Sequence, residues 1–264
     1  MIQFAVTNEL ISQPIIHGLK TSGLLKDISL QEGSTAQNCA NLVQKKIDLA
    51  LISPLDYARN SSELVIVPDI AIWSAEATRY ALVFFQSNLH SFHRIASQYG
   101  ESQYQVLASL LFKEFYEIEV EWENISWDGS LDEILEKFPA CLLEGDKAIE
   151  SYYQSDSYLD IVEDYCEKTD SRYIHLLIAF HRDHVDHQVM ESLLLSLQIG
   201  LRNLMNIAKD YHPGGSVSWN IYFEILSELF AFQSVSGLWD EMKSYLEYLF
   251  YHGYVDYIPE LHFV

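Results

Sequence analysis

The chain has 264 residues, 49% of them hydrophobic, and a formal net charge of −22 from 38 acidic against 16 basic side chains. A field of that sign works against nucleic acid and anionic membrane surfaces as partners, and no run of about 18 apolar residues offers a membrane span. The three cysteines, Cys39, Cys141 and Cys166, are scattered without metal-ligand spacing, which fits a reducing compartment. The length suits one large or two small domains. MIQFAVTNEL has no basic region ahead of its apolar residues, so no signal peptide is expected and the expected location is cytoplasmic.

In chain order, Ile2–Val6 alternates as a first strand, and Pro14–Leu19 reads as the first turn of a helix, with Pro14 near its start and Ser12 as a candidate cap. Asp27–Leu30 is expected to be a short strand. A helix should then start at Gly33-Ser34-Thr35 and run to about Lys46. Next come four apolar runs, Leu49–Ile52, Leu64–Val67, Ile70–Trp73 and Ala81–Phe85, separated by Ser53-Pro54, Asn60-Ser61-Ser62 and Pro68-Asp69. These predict four strands at the centre of a sheet, with Leu55–Arg59 as a helical turn. Residues on the turns at strand ends are where a ligand would be met.

Gln86–His90 reads as a crossing into a second set of elements. Strands are expected at Arg94–Ser97, Ile118–Trp122, Ala140–Leu143, Tyr158–Tyr165 and Arg172–Phe180. Between them, Ser102 should cap a helix with a stripe at Val106, Leu107, Leu110, Leu111 and Phe115. Leu131–Phe138 forms a short helix, and Asp146 caps another. Helices over about 184–209, 217–232 and 236–252 finish the chain. The aromatic tail YLEYLFYHGYVDY reads as a helix packed on the first set of strands, with a homodimer surface as the alternative. His181, His184 and His187 stand among Asp183 and Asp186, but the pattern is not HExxH and no metal is assigned; the aspartates suit a helix start. Glu119 and Glu121 read as a solvated face.

The order and spacing of ALISPLDYAR, VPDIAI and TRYALVFF resemble the chorismate dehydratases of the futalosine route to menaquinone, a group of solute-binding-protein-like proteins. LISQPIIHGL is similar to the family's LNTxPLxxGL, with Ile11 at the asparagine and Ser12 at the threonine. Gly100-Glu101-Ser102-Gln103 stands at its SxTS, and LLEGDKAI resembles LxIGDxAL. IHLLIAFHRD is similar to PFVFAxWxxR, with Arg182 at the closing arginine. Trp219, Tyr222, Gly237-Leu238 and Tyr245 resemble the family's tail. The family's glycine and serine ahead of its VLLF strand fall at Glu76 and Tyr80.

The resemblance implies an α/β chain with a two-lobed periplasmic-binding-protein-like (type II) fold, an interlobe cleft and a helical C-terminal tail. The expected division is 1–87 with 182–264 in lobe 1, and 88–181 in lobe 2. It implies a lyase that eliminates water from chorismate to give 3-enolpyruvylbenzoate, working without a metal or organic cofactor on a small anionic metabolite. The alternative is a small-molecule binding protein on the same scaffold with altered or lost catalysis. Ser12, Ser53, Arg79, Tyr80, Ser102, Gln103 and Asp146 are expected to line the site. In that reading Arg79 and the helix starts at Ser12 and Ser102 hold carboxylates, Ser53 and Gln103 orient hydroxyls, and the Tyr80 ring projects into the cleft. No residue is singled out as the catalytic acid or base.

Overall fold

The computed structural model describes residues 1–23, 28–87, 89, 92–126, 129–211 and 217–264. The chain forms two compact units. One holds Met1–Ser74 and the return segment that begins at Arg172; the other is built from Ala75–Ser171.

The first unit carries a six-stranded sheet in the order β11-β4-β10-β3-β1-β2. Its strands are β1 (Ile2–Val6), β2 (Ile28–Glu32), β3 (Leu49–Ile52), β4 (Leu64–Ser74), β10 (Tyr173–His181) and β11 (Ala231–Gln233). β1 runs parallel to β2 and β3, whereas β10 is antiparallel to both of its neighbours, β3 and β4. Every residue of β10 is buried, as befits a strand covered on both faces.

Pro68 does not end a strand as the apolar runs suggest: Leu64–Ser74 is one strand. Its partners step around the proline. Pairing with β10 jumps from Ala71 to Ile66, and β11 stops at Ile70, so no ladder bond is asked of the missing N–H. On the other side of Ile66 the chain's last residues complete the edge, with Ile66 N–H donating to His262 O at 2.7 Å and Val264 N–H donating back to Ile66 O at 3.1 Å.

Helices α1 (Gln13–Ser22), α2 (Thr35–Val43), α3 (Pro54–Asn60), α8 (His187–Leu201), α9 (Leu204–Asp210), α10 (Trp219–Glu224) and α11 (Leu238–Tyr251) belong to this unit. The three long closing helices expected from periodicity are divided. The first breaks into α8 and α9. The second is the short α10, a π turn at Ile225–Leu229 and then β11. The third, α11, buries Leu238, Met242, Tyr245, Leu246 and Leu249.

The second unit carries a five-stranded sheet, β7-β6-β8-β5-β9. Its strands are β5 (Ala81–Phe85), β6 (Arg94–Ser97), β7 (Glu121–Asn124), β8 (Ala140–Glu144) and β9 (Tyr158–Asp160). β6 is parallel to β7 and β8, and β5 runs antiparallel between β8 and β9. Leu82, Phe84, Ala96, Leu131, Ile134, Phe138, Cys141, Leu143 and Ala148 form one cluster of its core. Its helices are α4 (Gln103–Tyr116), α5 (Leu131–Leu135), α6 (Asp146–Ser151) and α7 (Ile161–Thr169).

Three expectations are corrected here. β5 pairs in the second sheet and β10 in the first, so the divisions fall at Ser74/Ala75 and Ser171/Arg172 rather than after 87 and 181. Tyr158–Tyr165 is not one strand: Asp160 accepts from Val162 N and Glu163 N and starts α7. β7 begins three residues later than the strand expected from Ile118. The start expected at Asp27 for β2 lies outside the described residues, as do parts of the crossing at Gln86–His90.

Helices α1 and α8 meet backbone to backbone. A Cβ on Gly18 would lie 1.7 Å from the Ser196 carbonyl oxygen, and one on Gly200 would lie 1.9 Å from that of Pro14. Gly18→Ala and Gly200→Ala should each lower stability by about 3 kcal/mol, because the helices must part. Urea midpoints check this, with Gly100→Ala, which meets nothing within 4 Å, as the control that should barely move.

His175, on β10, is fully buried, with Nε2 2.7 Å from Ser74 Oγ. Burial lowers its pKa from 6.5 to about 3. The unfolded chain therefore takes up a proton on falling below about pH 6.5 that the folded chain refuses. The stability is fully present above that pH and is lost as pH falls, at about 1.4 kcal/mol per unit. Urea titrations between about pH 6.5 and 5 should show this slope, and His175→Gln should remove roughly that share of it.

Candidate ligand site

In the first unit, Ser12 and Ser53 follow the carboxyl ends of the neighbouring parallel strands β1 and β3. Both are buried, and both hydroxyls already have protein partners. Ser12 does not cap α1: its Oγ lies 2.5 Å from Thr7 Oγ1, itself 3.5 Å from Glu9 Oε2. Ser53 forms a capping box at α3, donating to Asp56 Oδ2 at 2.6 Å and accepting from Asp56 N at 3.1 Å. Ile11 is fully buried among the core residues.

The other five residues gather at one end of the second sheet, where β6, β8 and β9 end and β5 begins. In α/β sheets the carboxyl ends of strands are the usual place for a ligand. Ser102 caps α4, accepting from Gln105 N at 3.1 Å, and donates its own proton to the Glu144 carboxylate at the end of β8. Gln103, nearly buried, opens that helix. Asp146 is not the cap of α6. Gly145 is, with φ 61° and ψ −135°, a backbone open to glycine, and Asp146 is the first helical residue. Tyr80, fully buried, lies in the second unit, with its ring edge-on to Tyr104 at 6.2 Å and its hydroxyl facing Gly145.

Arg79 has φ 57°, a left-handed conformation that costs about 1–2 kcal/mol for a residue with a Cβ. Its guanidinium lies 4.7 Å over the Tyr152 ring and donates to Tyr153 Oη at 3.3 Å. The turn is tied down by Asp160, whose Oδ2 accepts from Thr78 N and Arg79 N at 2.7 Å each. Burial pushes the Asp160 carboxyl above its ordinary range, opposed by the backbone N–H groups of Arg79, Thr78, Glu163 and Val162.

Sequence reading missed Thr7, Glu144, Asp160 and the Tyr152–Tyr153 pair. Glu144 was visible as the departure from isoleucine in LxIGDxAL. Asp160 was visible as an aspartate two and three residues ahead of helix donors.

The histidine cluster belongs to the first unit. His181 is buried at the end of β10 and accepts from Asp183 N at 3.1 Å, while Asp183 pairs with Lys45 at 2.7 Å. His184 and His187 line a surface hollow of about 540 Å³ with Asp183 and Asp186. Among the described residues no three such side chains are grouped to hold a metal ion. That hollow contains none of the seven expected residues.

Comparison with known proteins places the chain. The model of a family described as menaquinone biosynthesis matches residues 6–237. The chain belongs to that family. A search of curated proteins returns no match. Among solved structures, protein AF1704 from Archaeoglobus fulgidus is similar over 96% of this chain and 98% of its own, at 15% identity and a TM-score of 0.76. The alkanesulfonate-binding protein SsuA from Xanthomonas axonopodis pv. citri, bound to MOPS, covers 98% and 94% at 13% identity and 0.68. The Candida albicans CA3427 gene product, described as having the generic periplasmic binding protein fold, covers 97% and 91% at 12% identity and 0.66. The family member described here thus has the periplasmic-binding-protein fold. Among its described residues no helix is long and apolar enough to cross a membrane.

Glu144 brings a negative charge to this sheet end, next but one to Asp146 and opposite in sign to Arg79. Glu144→Gln keeps an acceptor for Ser102 and removes a negative charge. It should tighten binding of a simple carboxylate such as benzoate by about tenfold, equivalent to about 1.4 kcal/mol. Isothermal titration calorimetry checks this; unchanged binding would place Glu144 outside the ligand's reach, and weaker binding would overturn the charge argument.

Proposed function

We propose that the chain is a chorismate dehydratase-like lyase of menaquinone biosynthesis, acting on a small anionic metabolite in the cytoplasm. The observation that carries this reading is the family match across residues 6–237. The gathering of Arg79, Tyr80, Ser102, Gln103 and Asp146 at one sheet end supports it.

The reaction is redox-neutral. A ring C–H bond breaks, its electron pair enters the ring as the hydroxyl leaves, and the proton and hydroxyl depart as water. Such a step gains most from holding the substrate still and from charge placed in advance. In this reading Arg79 holds a carboxylate, and its stacking on Tyr152 reduces what must be ordered on binding. The Glu144–Ser102 pair and Gln103 receive a neutral hydroxyl.

One observation favours the second reading, a binding protein without turnover. The Ser12, Ser53 and Ser102 hydroxyls already have protein partners, which leaves little donor capacity for a substrate.

Incubation of the purified chain with chorismate, followed by chromatography for 3-enolpyruvylbenzoate, decides between them. The lyase reading expects product, and a loss of kcat/KM of about 10- to 100-fold in Arg79→Ala, the range for a charge-assisted hydrogen bond. Saturable chorismate binding without product would select the binding protein. Neither binding nor product would end both readings for chorismate.

A further inference from the structure

We propose that Asp160 is the positioning residue that presents Arg79 to the ligand, an inference that rests on the reading of Arg79 as a ligand group. Asp160 is buried, and its two oxygens divide their work. Oδ1 accepts from Val162 N at 3.1 Å and Glu163 N at 3.3 Å, which is an ordinary helix cap. Oδ2 accepts from Thr78 N and Arg79 N at 2.7 Å each, which capping α7 does not require. The Thr78 hydroxyl lies 3.3 Å and 3.4 Å from the two oxygens and accepts from Tyr80 N at 3.2 Å.

One carboxylate thus joins the start of α7 to the turn ahead of β5. It holds Arg79 in the left-handed conformation from which its guanidinium reaches Tyr152 and Tyr153. An amide cannot replace it. Asparagine offers one oxygen and one NH₂, so one pair of backbone donors would face another donor. The cap and the turn cannot both survive that change.

The test uses the full chain and a double-mutant cycle. Asp160→Asn, Arg79→Ala and the double variant are compared by benzoate titration and by the Arg79 Nε–Hε NMR cross-peak, which stacking on Tyr152 displaces from the free-arginine position. Asp160→Asn should move that peak to the free position and weaken benzoate by about tenfold, as if about 1.4 kcal/mol were lost. The double variant should be no weaker than Arg79→Ala. An unmoved peak, or losses that add, overturns the proposal. If wild type binds no benzoate, the peak alone decides. If Asp160→Asn does not fold, Thr78→Val, which removes the hydroxyl link and keeps the backbone bonds, should shift the same peak part-way, and an unmoved peak again overturns it. Chorismate conversion is measured separately. Its absence beside intact Asp160–Arg79 coupling refutes the lyase reading and leaves this one standing.

Discussion

The first sheet depends on a strand that arrives late. β10 lies between β3 and β4, and every residue on it is buried. Without it, β4 and β3 have no ladder in common. The register pairs Tyr173 with Ser74, so the chain re-enters this sheet beside the residue from which it left. Everything from Ala75 to Ser171 is an insertion closed by that pair. Closing a loop of about 100 residues costs about 4 kcal/mol in chain entropy beyond a constant term. The length of the β4–β10 ladder and the burial of its members offset that cost. Ser74 and His175 reinforce the closing point with a buried side-chain hydrogen bond.

This closure explains which parts of the fold the sequence made legible. β1, β3, β5 and β6 follow from apolar runs and the turn residues beside them, because both signals are local. The capping serine of α4, Ser102, follows for the same reason. Where the sequence reading failed, the deciding partner was distant. Pro68 reads as a stop, yet two neighbouring strands accommodate it. β5 and β10 read as belonging with the residues around them, yet each pairs with the other sheet's candidates. Tyr158–Tyr165 is apolar and aromatic enough for a strand, but Ile161, Val162, Tyr165 and Cys166 share one helical face, and Asp160 supplies the cap.

The site was legible to the same depth. Motif order brought out residues at strand ends and helix starts, and five of them share one end of the second sheet. What it could not show was the use of their polar atoms. A serine at a helix start offers one proton, and only the fold reveals that Ser102 gives it to Glu144. An arginine ahead of a strand suggests a carboxylate clamp, and only the fold reveals the buried aspartate that fixes its backbone. Asp146 shows the converse: the aspartate beside a glycine looks like a cap, but the glycine's left-handed backbone takes that place.

These commitments bear on how an acidic chain could hold an acidic ligand. With a net charge of −22, the long-range field opposes any anion, so attraction must be local and weakly screened. At the second sheet's end that local charge is Arg79, held over an aromatic ring by a turn that Asp160 ties down. Glu144 and Asp146 stand near the same edge with the opposite sign. Such a polarity disfavours a ligand with carboxylates at both places. In the proposed reading it suits one that offers a carboxylate to Arg79 and a hydroxyl to the Glu144–Ser102 pair. Because the Ser102 proton is already given to Glu144, the acceptor role at that position is built in rather than acquired on binding. In the proposed reading, a ligand that brings a second carboxylate to this edge meets like charge from Glu144 and Asp146, and that repulsion is the excluding half of discrimination there.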